Sequence, residues 1–256
     1  KFQWDREAVS LPLAALRHRQ GRLLGRMEGL GFPQRDAALL GTLTSDVIKS
    51  GEIEGENLNV QQVRSSIARR LGLDIAGMVP TDRHVDGVVE MALEAAQNYE
   101  KPLTKERLFN WHTLLFPPAA IGTDRIRAGG WRDDSKGPMQ VVSGAMGREL
   151  VHYQAPPADL IPAEMAAFLT WGNRTGDEDP ILKAAIAHFW FVTIHPFDDG
   201  NGRIARTIAD WALARAEASP RRFYSMSTQI RKERDKYYSI LEQTQKGGLD
   251  ITEWLS

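Results

Sequence analysis

Between positions 195 and 206 the chain reads His195-Pro-Phe-Asp-Asp-Gly-Asn-Gly-Arg-Ile-Ala-Arg206. One titratable ring, two acids, a Gly-Asn-Gly turn and two arginines sit within twelve residues. Each type suits one part of moving a phosphate-linked group. The His195 imidazole can accept a proton near neutral pH. The Asp199 carboxylate is a ligand suited to Mg²⁺. Gly200, Asn201 and Gly202 allow backbone N–H groups to approach an anion closely. Arg203 and Arg206 lie three apart, on one face of a helix that starts here, and can grip phosphate oxygens bidentately. A plain turn between two helices needs no His, Asp and paired Arg at once.

This stretch resembles the signature of the Fic family, His-Pro-Phe-x-(Asp/Glu)-Gly-Asn-Gly-Arg-x-x-Arg, and every fixed position matches. The resemblance implies a protein adenylyltransferase that moves AMP from ATP to a Tyr, Thr or Ser hydroxyl of a target protein. It implies His195 as the catalytic base, Asp199 as the Mg²⁺ ligand, and Arg203 and Arg206 on the β- and γ-phosphates. It also implies an all-α fold of Fic type, with a small β-hairpin flap and an N-terminal helical extension. A few family members transfer UMP, phosphate or phosphocholine instead.

Upstream, Ser50-Gly-Glu-Ile-Glu54-Gly55 resembles the family's inhibitory motif, (Ser/Thr)-x-x-x-Glu-(Gly/Asn). In relatives bearing this element, the Glu reaches the second motif arginine, here Arg206, and blocks productive placement of the γ-phosphate. Glu52 and Glu56 are neighbours, but only Glu54 has the right spacing from Ser50 and is followed by Gly. Some Glu-bearing relatives also remove AMP from the modified target, with the Glu positioning water. A nucleotide-binding regulatory module without transfer is the non-enzymatic alternative, and the intact motif argues against it.

The segment Val63-Arg-Ser-Ser-Ile-Ala-Arg-Arg-Leu-Gly72, with Trp4-Asp5, looks like the extension found on many bacterial Fic proteins. Gly137-Pro-Met-Gln-Val-Val-Ser-Gly144, followed by His152-Tyr-Gln-Ala-Pro-Pro157, looks like the flap. By resemblance Val141, Val142, Ser143 and Gly144 line the nucleotide pocket, and an exposed strand edge there would pair with an extended target segment. Tyr237-Tyr238 matches an aromatic pair near the adenine, although as bare sequence such a pair reads as core. Gln245 stands where some relatives have Asn. The implied division is residues 1–100 as inhibitory extension and 101–256 as catalytic core. Many relatives of this type carry a winged-helix domain after the core. The implied partners are ATP, a target protein, the chain itself as a self-modification substrate, and a second copy as homodimer.

The elements that must position these residues are mainly helical. An interrupted stripe of Leu13, Leu16, Leu23, Leu24, Met27 and Leu30 ends at Gly31. A second helix runs from about Asp36 to Lys49. Asn59 caps a third that Gly72 stops. Thr81 precedes a fourth, ended by Pro102. Thr104 opens a fifth, which Pro117-Pro118 stops. From about Gly122 to Gly147 the glycines punctuate loop and hairpin, with Met139–Val142 strand-like. Helices resume at Ile161–Trp171, Pro180–Ile194, Asn201–Glu217 and Thr228–Gln245. The apolar Pro180–Ile194 run is the expected central buried helix, and His188 within it reads as a core or supporting residue. Asp250-Ile-Thr-Glu253 reads as a capping-box helix start.

Composition sets outer limits. A net charge of −1 favours neither nucleic acid nor anionic membrane. No apolar run of membrane-spanning length is present, so no membrane partner is expected. Zero cysteines exclude disulfides and thiolate metal sites, which fits a cytoplasmic location. Lys1 reads as a trimmed start, and the helix opening just before Ser256 as a truncated end.

Overall fold

The computed structural model describes residues 2–117, 126–144, 147–176 and 178–256. Its helices are α1 (Arg6–Glu28), α2 (Phe32–Ile53), α3 (Val60–Leu71), α4 (Arg83–Gln97) and α5 (Lys105–Leu115). The hairpin β1 (Gln140–Ser143) and β2 (Leu150–Gln154) follows. A 3₁₀ turn at Ala158–Leu160 leads into α6 (Ile161–Asn173), α7 (Pro180–Ile194) and α8 (Asn201–Ala216). The chain closes with α9 (Met226–Lys232), α10 (Arg234–Lys246) and the short α11 (Thr252–Leu255). The all-α class with one antiparallel hairpin is as expected.

The centre is α7 laid along α8, with α4 and α5 packed against α8 and α6 against α7. Helix α7 buries residues on nearly every side, including Leu182, Ile186, Phe189, Phe191 and Ile194. Phe197, just past it, and Phe168, Trp111 and Trp211 from neighbouring helices are fully buried in the same core. A site placed where α7 turns into α8 therefore sits on the most rigid part of the molecule.

The chain N-terminal to α4 wraps this core. Helix α2 packs on α3 and α9 and reaches α4 and α8. Helix α1 is largely exposed, with Val9 its buried residue, and Arg17 reaches Asp179. Residue Gln3 pairs in parallel with Asp250, so the segment before α1 joins the segment before α11.

Caps explain most boundaries. Asn59 accepts from the N–H groups of Gln61 and Gln62, and Gly72 ends α3 in the left-handed conformation. Thr104 caps α5 through the N–H of Arg107. Four expectations need correction. Helix α2 is longer than Asp36–Lys49, because Pro33 sits at the first helical turn, where a missing N–H costs nothing. Helix α4, which Thr81 precedes, is capped by Asp82 and ends at Gln97 with Asn98 as its C-cap, before Pro102 is reached. The single helix expected over Thr228–Gln245 is two, broken at Glu233 with φ −112° and ψ 32°. Asp250 does not cap α11; its carboxylate takes the N–H and hydroxyl of Thr252 in a local turn, and Ile251 is the N-cap. Pro118 and Gly122, used to place the end of α5 and the change to loop, lie outside the described residues.

Candidate active site

His195 ends α7 in the left-handed region at φ 52°, a strained setting for a residue with a Cβ. Its N–H closes the last turn of α7 on Phe191. Its ring Nδ1 lies 3.2 Å from the Val192 carbonyl. A carbonyl only accepts, so Nδ1 carries the proton and Nε2 keeps its lone pair. Burial pushes the imidazole down to about 4, so the ring is neutral at physiological pH. A neutral imidazole with a free Nε2 is a base ready to take a proton.

The loop after it is built by side chains that copy backbone bonding. Asn201 is buried, accepts from the Phe197 N–H at 3.0 Å and donates to the Phe197 carbonyl at 2.8 Å. Gly200 has φ 79°, and a Cβ there would meet the Phe116 ring at 2.9 Å, so only glycine fits. Helix α8 then starts with no side-chain cap. Its first turn offers N–H groups and the positive end of the helix dipole to the loop.

The two acids separate cleanly. Asp198 Oδ2 accepts the Arg127 N–H at 2.9 Å. Asp199 is exposed, and its Oδ1 accepts the neighbouring Gly200 N–H and lies 4.0 Å from Arg203 Nη2. An exposed carboxylate of this kind could hold a cation, whereas an Asp198 oxygen is engaged by the Arg127 backbone.

Arg206 is 1% exposed, and three of its nitrogens face the end of α2. Nε donates to Ser50 Oγ at 2.9 Å, Nη2 to the Ser50 carbonyl at 3.0 Å, and Nη1 pairs with Glu54 Oε1 at 2.8 Å. Ser50 and Glu54, four apart on the last turn of α2, thus share one guanidinium. A Cβ on Gly202 would lie 2.2 Å from Glu54 Oε1. The Glu54 carboxylate rests on the first turn of α8, where an anion would sit. Arg203, 8% exposed, stacks on Phe116 at 5.1 Å and donates from Nη1 to Glu56 at 2.8 Å.

The flap is tied to the same place. Tyr153 of β2 donates to the Thr193 carbonyl, two residues before His195. His152 bridges Ser143 of β1 and Glu242 of α10. Val142 and Ser143 are exposed, Val141 is half-buried, and Gly144 turns with φ 102° where a Cβ would meet the Arg148 carbonyl. The hairpin thus presents Val141, Val142, Ser143 and Gly144 at the surface. Tyr237 lies inward, its hydroxyl 3.0 Å from His188 Nε2, while Tyr238 stacks under Arg234 at 4.9 Å. Tyr237 and His188 form a polar pair in which His188 is buried and Tyr237 half-buried. Gln245 donates to Thr193 Oγ1.

Sequence reasoning missed four supports. Arg132 is buried and donates to the His195 and Pro156 carbonyls, joining the catalytic loop to the base of the flap. His112 stacks flat on Phe197 at 4.1 Å and contacts the Asp199 carbonyl through Nε2. Its Nδ1 accepts the Gly129 N–H, which fixes the proton on Nε2. Arg234 holds the Ile53 carbonyl at the end of α2. Glu56 takes Arg203. No spacing rule announces contacts between such distant positions.

Comparison with known proteins meets this geometry. Residues 102–213 match the family model described as Fic/DOC family. Over residues 102–213 the chain carries a Fic/DOC family domain. Residues 1–73 match a second model, described as a domain of unknown function (DUF4172). A Fic family protein from Desulfovibrio desulfuricans G20 has a TM-score of 0.67 at 25% identity, over 97% of this chain and 69% of that one. A Fic domain containing signaling protein from Bacteroides thetaiotaomicron VPI-5482 shares the fold, with a TM-score of 0.65 at 21% identity, over 93% of this chain and 86% of that one. A uridine 5'-monophosphate transferase of Xanthomonas campestris pv. campestris (strain 8004) is 31% identical over 46% of this chain and 22% of its own length. A protein adenylyltransferase Fic of Drosophila virilis is 27% identical over 77% of this chain and 37% of its own length. The chain spans well under half the length of these curated relatives. Among the described residues no helix is long and apolar enough to cross a membrane.

Proposed function

We propose that this Fic protein is a protein adenylyltransferase held in check by Glu54. The target hydroxyl gives its proton to His195 Nε2 as its oxygen attacks the α-phosphorus of ATP. The bond from that phosphorus to the bridging oxygen breaks, and pyrophosphate leaves with the electron pair. The AMP remains on the target through a phosphodiester. A positioned base contributes about 10²–10⁴ in rate, and alignment of charge on the phosphates supplies more. Arg203 and Arg206 are the groups for the β- and γ-phosphates, and the first turn of α8 receives a phosphate oxygen.

Asp199 fits Mg²⁺, which takes one or two protein carboxylates and fills its remaining positions with water and substrate phosphate. Its exposed carboxylate supplies that ligand, and among the described residues there is no cluster of three or more side chains that would make a closed metal cage. Bound there, Mg²⁺ would neutralise charge on the phosphates.

The observation that carries the regulatory half is the Glu54 carboxylate lying over Gly202 and paired with Arg206. It occupies an anion position and engages the arginine that the terminal phosphate needs. The experiment compares label incorporated from ATP by the parent and by Glu54→Gly. Loss of one charge-assisted contact frees Arg206, and incorporation should rise about tenfold or more. Equal or lower incorporation by a folded Glu54→Gly protein overturns the inhibition. Running the assay with UTP alongside decides the donor, a comparison prompted by the Xanthomonas relative. Glu54 also lies close enough to His195 for its charge to favour the imidazolium. That proximity supports a second activity, removal of AMP by water that Glu54 positions, and Glu54→Gly should abolish it.

A further inference from the structure

The contact of Glu56 with Arg203 lies outside the Ser50-x-x-x-Glu54-Gly55 pattern, yet it has the same chemistry as the contact of Glu54 with Arg206. Helix α2 ends at Ile53, and Gly55 turns the chain with φ 80°. The Glu56 N–H then folds back on the Gly51 carbonyl at 3.0 Å. This tight reversal lets two carboxylates, two positions apart, both face α8. On α8 the two arginines stand three apart on one face. Glu54 Oε1 meets Arg206 Nη1, and Glu56 Oε2 meets Arg203 Nη1, each at 2.8 Å.

Glu56 is also held from behind. Its second oxygen pairs with His84 Nε2 of α4. Both carboxylate oxygens therefore have cationic or donor partners from two different helices. The opposing guanidinium is nearly buried, braced on Phe116, and its Nε is buried with no hydrogen-bond partner among the described residues. A donor left empty in such a place marks a site that an incoming oxygen would fill. Arg203 Nη2 stands 4.0 Å from Asp199 Oδ1, so its fork faces the candidate metal carboxylate as well. The guanidinium points where phosphate chemistry is expected, and one of its three nitrogens is already taken by Glu56.

We infer that Glu56 is a second carboxylate clamp, which competes with nucleotide phosphate for Arg203 and is positioned by His84. This rests on the reading of the site as a nucleotide site inhibited by Glu54, and it adds a distinct step. Glu54 governs Arg206 and the alignment of the terminal phosphate. Glu56 governs how strongly the first arginine is available to any polyphosphate. Full relief of inhibition then needs both carboxylates to withdraw, and because they flank one glycine, a single movement of residues 54–56 withdraws both.

The test measures affinity for a non-hydrolysable ATP analogue with Mg²⁺, by calorimetry, beside label incorporated from ATP. The parent, Glu54→Gly, Glu56→Gln, His84→Gln and the Glu54→Gly/Glu56→Gln double variant are compared. Glu56→Gln keeps the size and removes the charge, and it should tighten analogue binding about tenfold, the scale of one charge-assisted contact. His84→Gln leaves Glu56 on one partner and should tighten binding by a smaller factor. If Glu56→Gln fails to fold, the His84→Gln result decides alone. The double variant should incorporate more label than Glu54→Gly. Affinity within twofold of the parent in the folded Glu56→Gln protein overturns the clamp, even where Glu54→Gly transfers strongly. Tighter binding with no label incorporated by any variant upholds the clamp and overturns the transferase reading instead.

Discussion

His195 carries two constraints at once, a left-handed backbone and an Nδ1 proton committed to Val192. Together they aim Nε2 away from α7 with its lone pair free. His195→Ala should therefore abolish transfer while leaving ATP affinity within a few-fold, since the phosphate groups are held elsewhere. Transfer persisting within tenfold would show that His195 is not the base. The pH profile gives a second check. A base must be unprotonated, so activity falls as pH drops through its pKa. With the ring pushed down to about 4 by burial, the acid limb should lie well below the 6.5 of a free imidazole. An acid limb centred near 6.5 would mean the ring is solvated in the working enzyme. At this scale much was legible in the sequence. His195, Asp199, Arg203 and Arg206 are joined by one turn and one helix, and local spacing carries their geometry. Glu56 lacks the motif spacing from Ser50, and its partner Arg203, 147 positions away, leaves no local sign of their contact. His112 and Arg132 escaped notice for the same reason, since tertiary approach alone makes them supports.

Between elements, α4 packs tightly on α5 at Gly87. A Cβ on Gly87 would lie 2.1 Å from the Leu114 carbonyl oxygen, and a backbone atom cannot swing away. The helices can keep their distance only with glycine there. Gly87→Ala should therefore destabilise the fold by about 1–3 kcal/mol through overpacking, or roughly 2–10 °C in Tm. Helix α5 also carries His112 and Phe116, so nucleotide affinity should weaken in parallel. An unchanged Tm would contradict the close packing. Nothing local announces this contact, because a helical Gly amid Val85, Val88 and Val89 reads as an ordinary face residue. Element existence was legible almost throughout, since apolar stripes and caps are local. The failures were at junctions. Glu233 breaks the α9–α10 run although neither Gly nor Pro marks it. There Arg231 reaches back to Glu52 and Arg234 to the Ile53 carbonyl, so packing on the end of α2 accompanies a break that propensity does not announce.

Across the whole molecule, a buried cluster joins α2 to the core. Arg222 pairs with Asp210 of α8 and faces Asp46 of α2, and all three are under 10% exposed. Ser225, which caps α9, donates to Asp46. One guanidinium thus serves two carboxylates from helices that carry opposite halves of the site. Two acids sharing one cation away from water cannot both ionise freely. Burial accordingly pushes Asp210 up to about 7, against about 3.9 for a free aspartate. The folded protein holds a proton there that the unfolded chain has lost from about pH 4 upward. The contribution of this group to stability is thus full below pH 4, declines as pH rises, and is gone above about 7. Asp210→Asn keeps an acceptor for Arg222 and removes the titration. The Tm of the parent minus that of Asp210→Asn, followed from pH 4.5 to 8, should fall with rising pH and level off above about 7. A difference that stays flat, or grows, would mean Asp210 is ionised throughout and that Arg222 alone satisfies both acids.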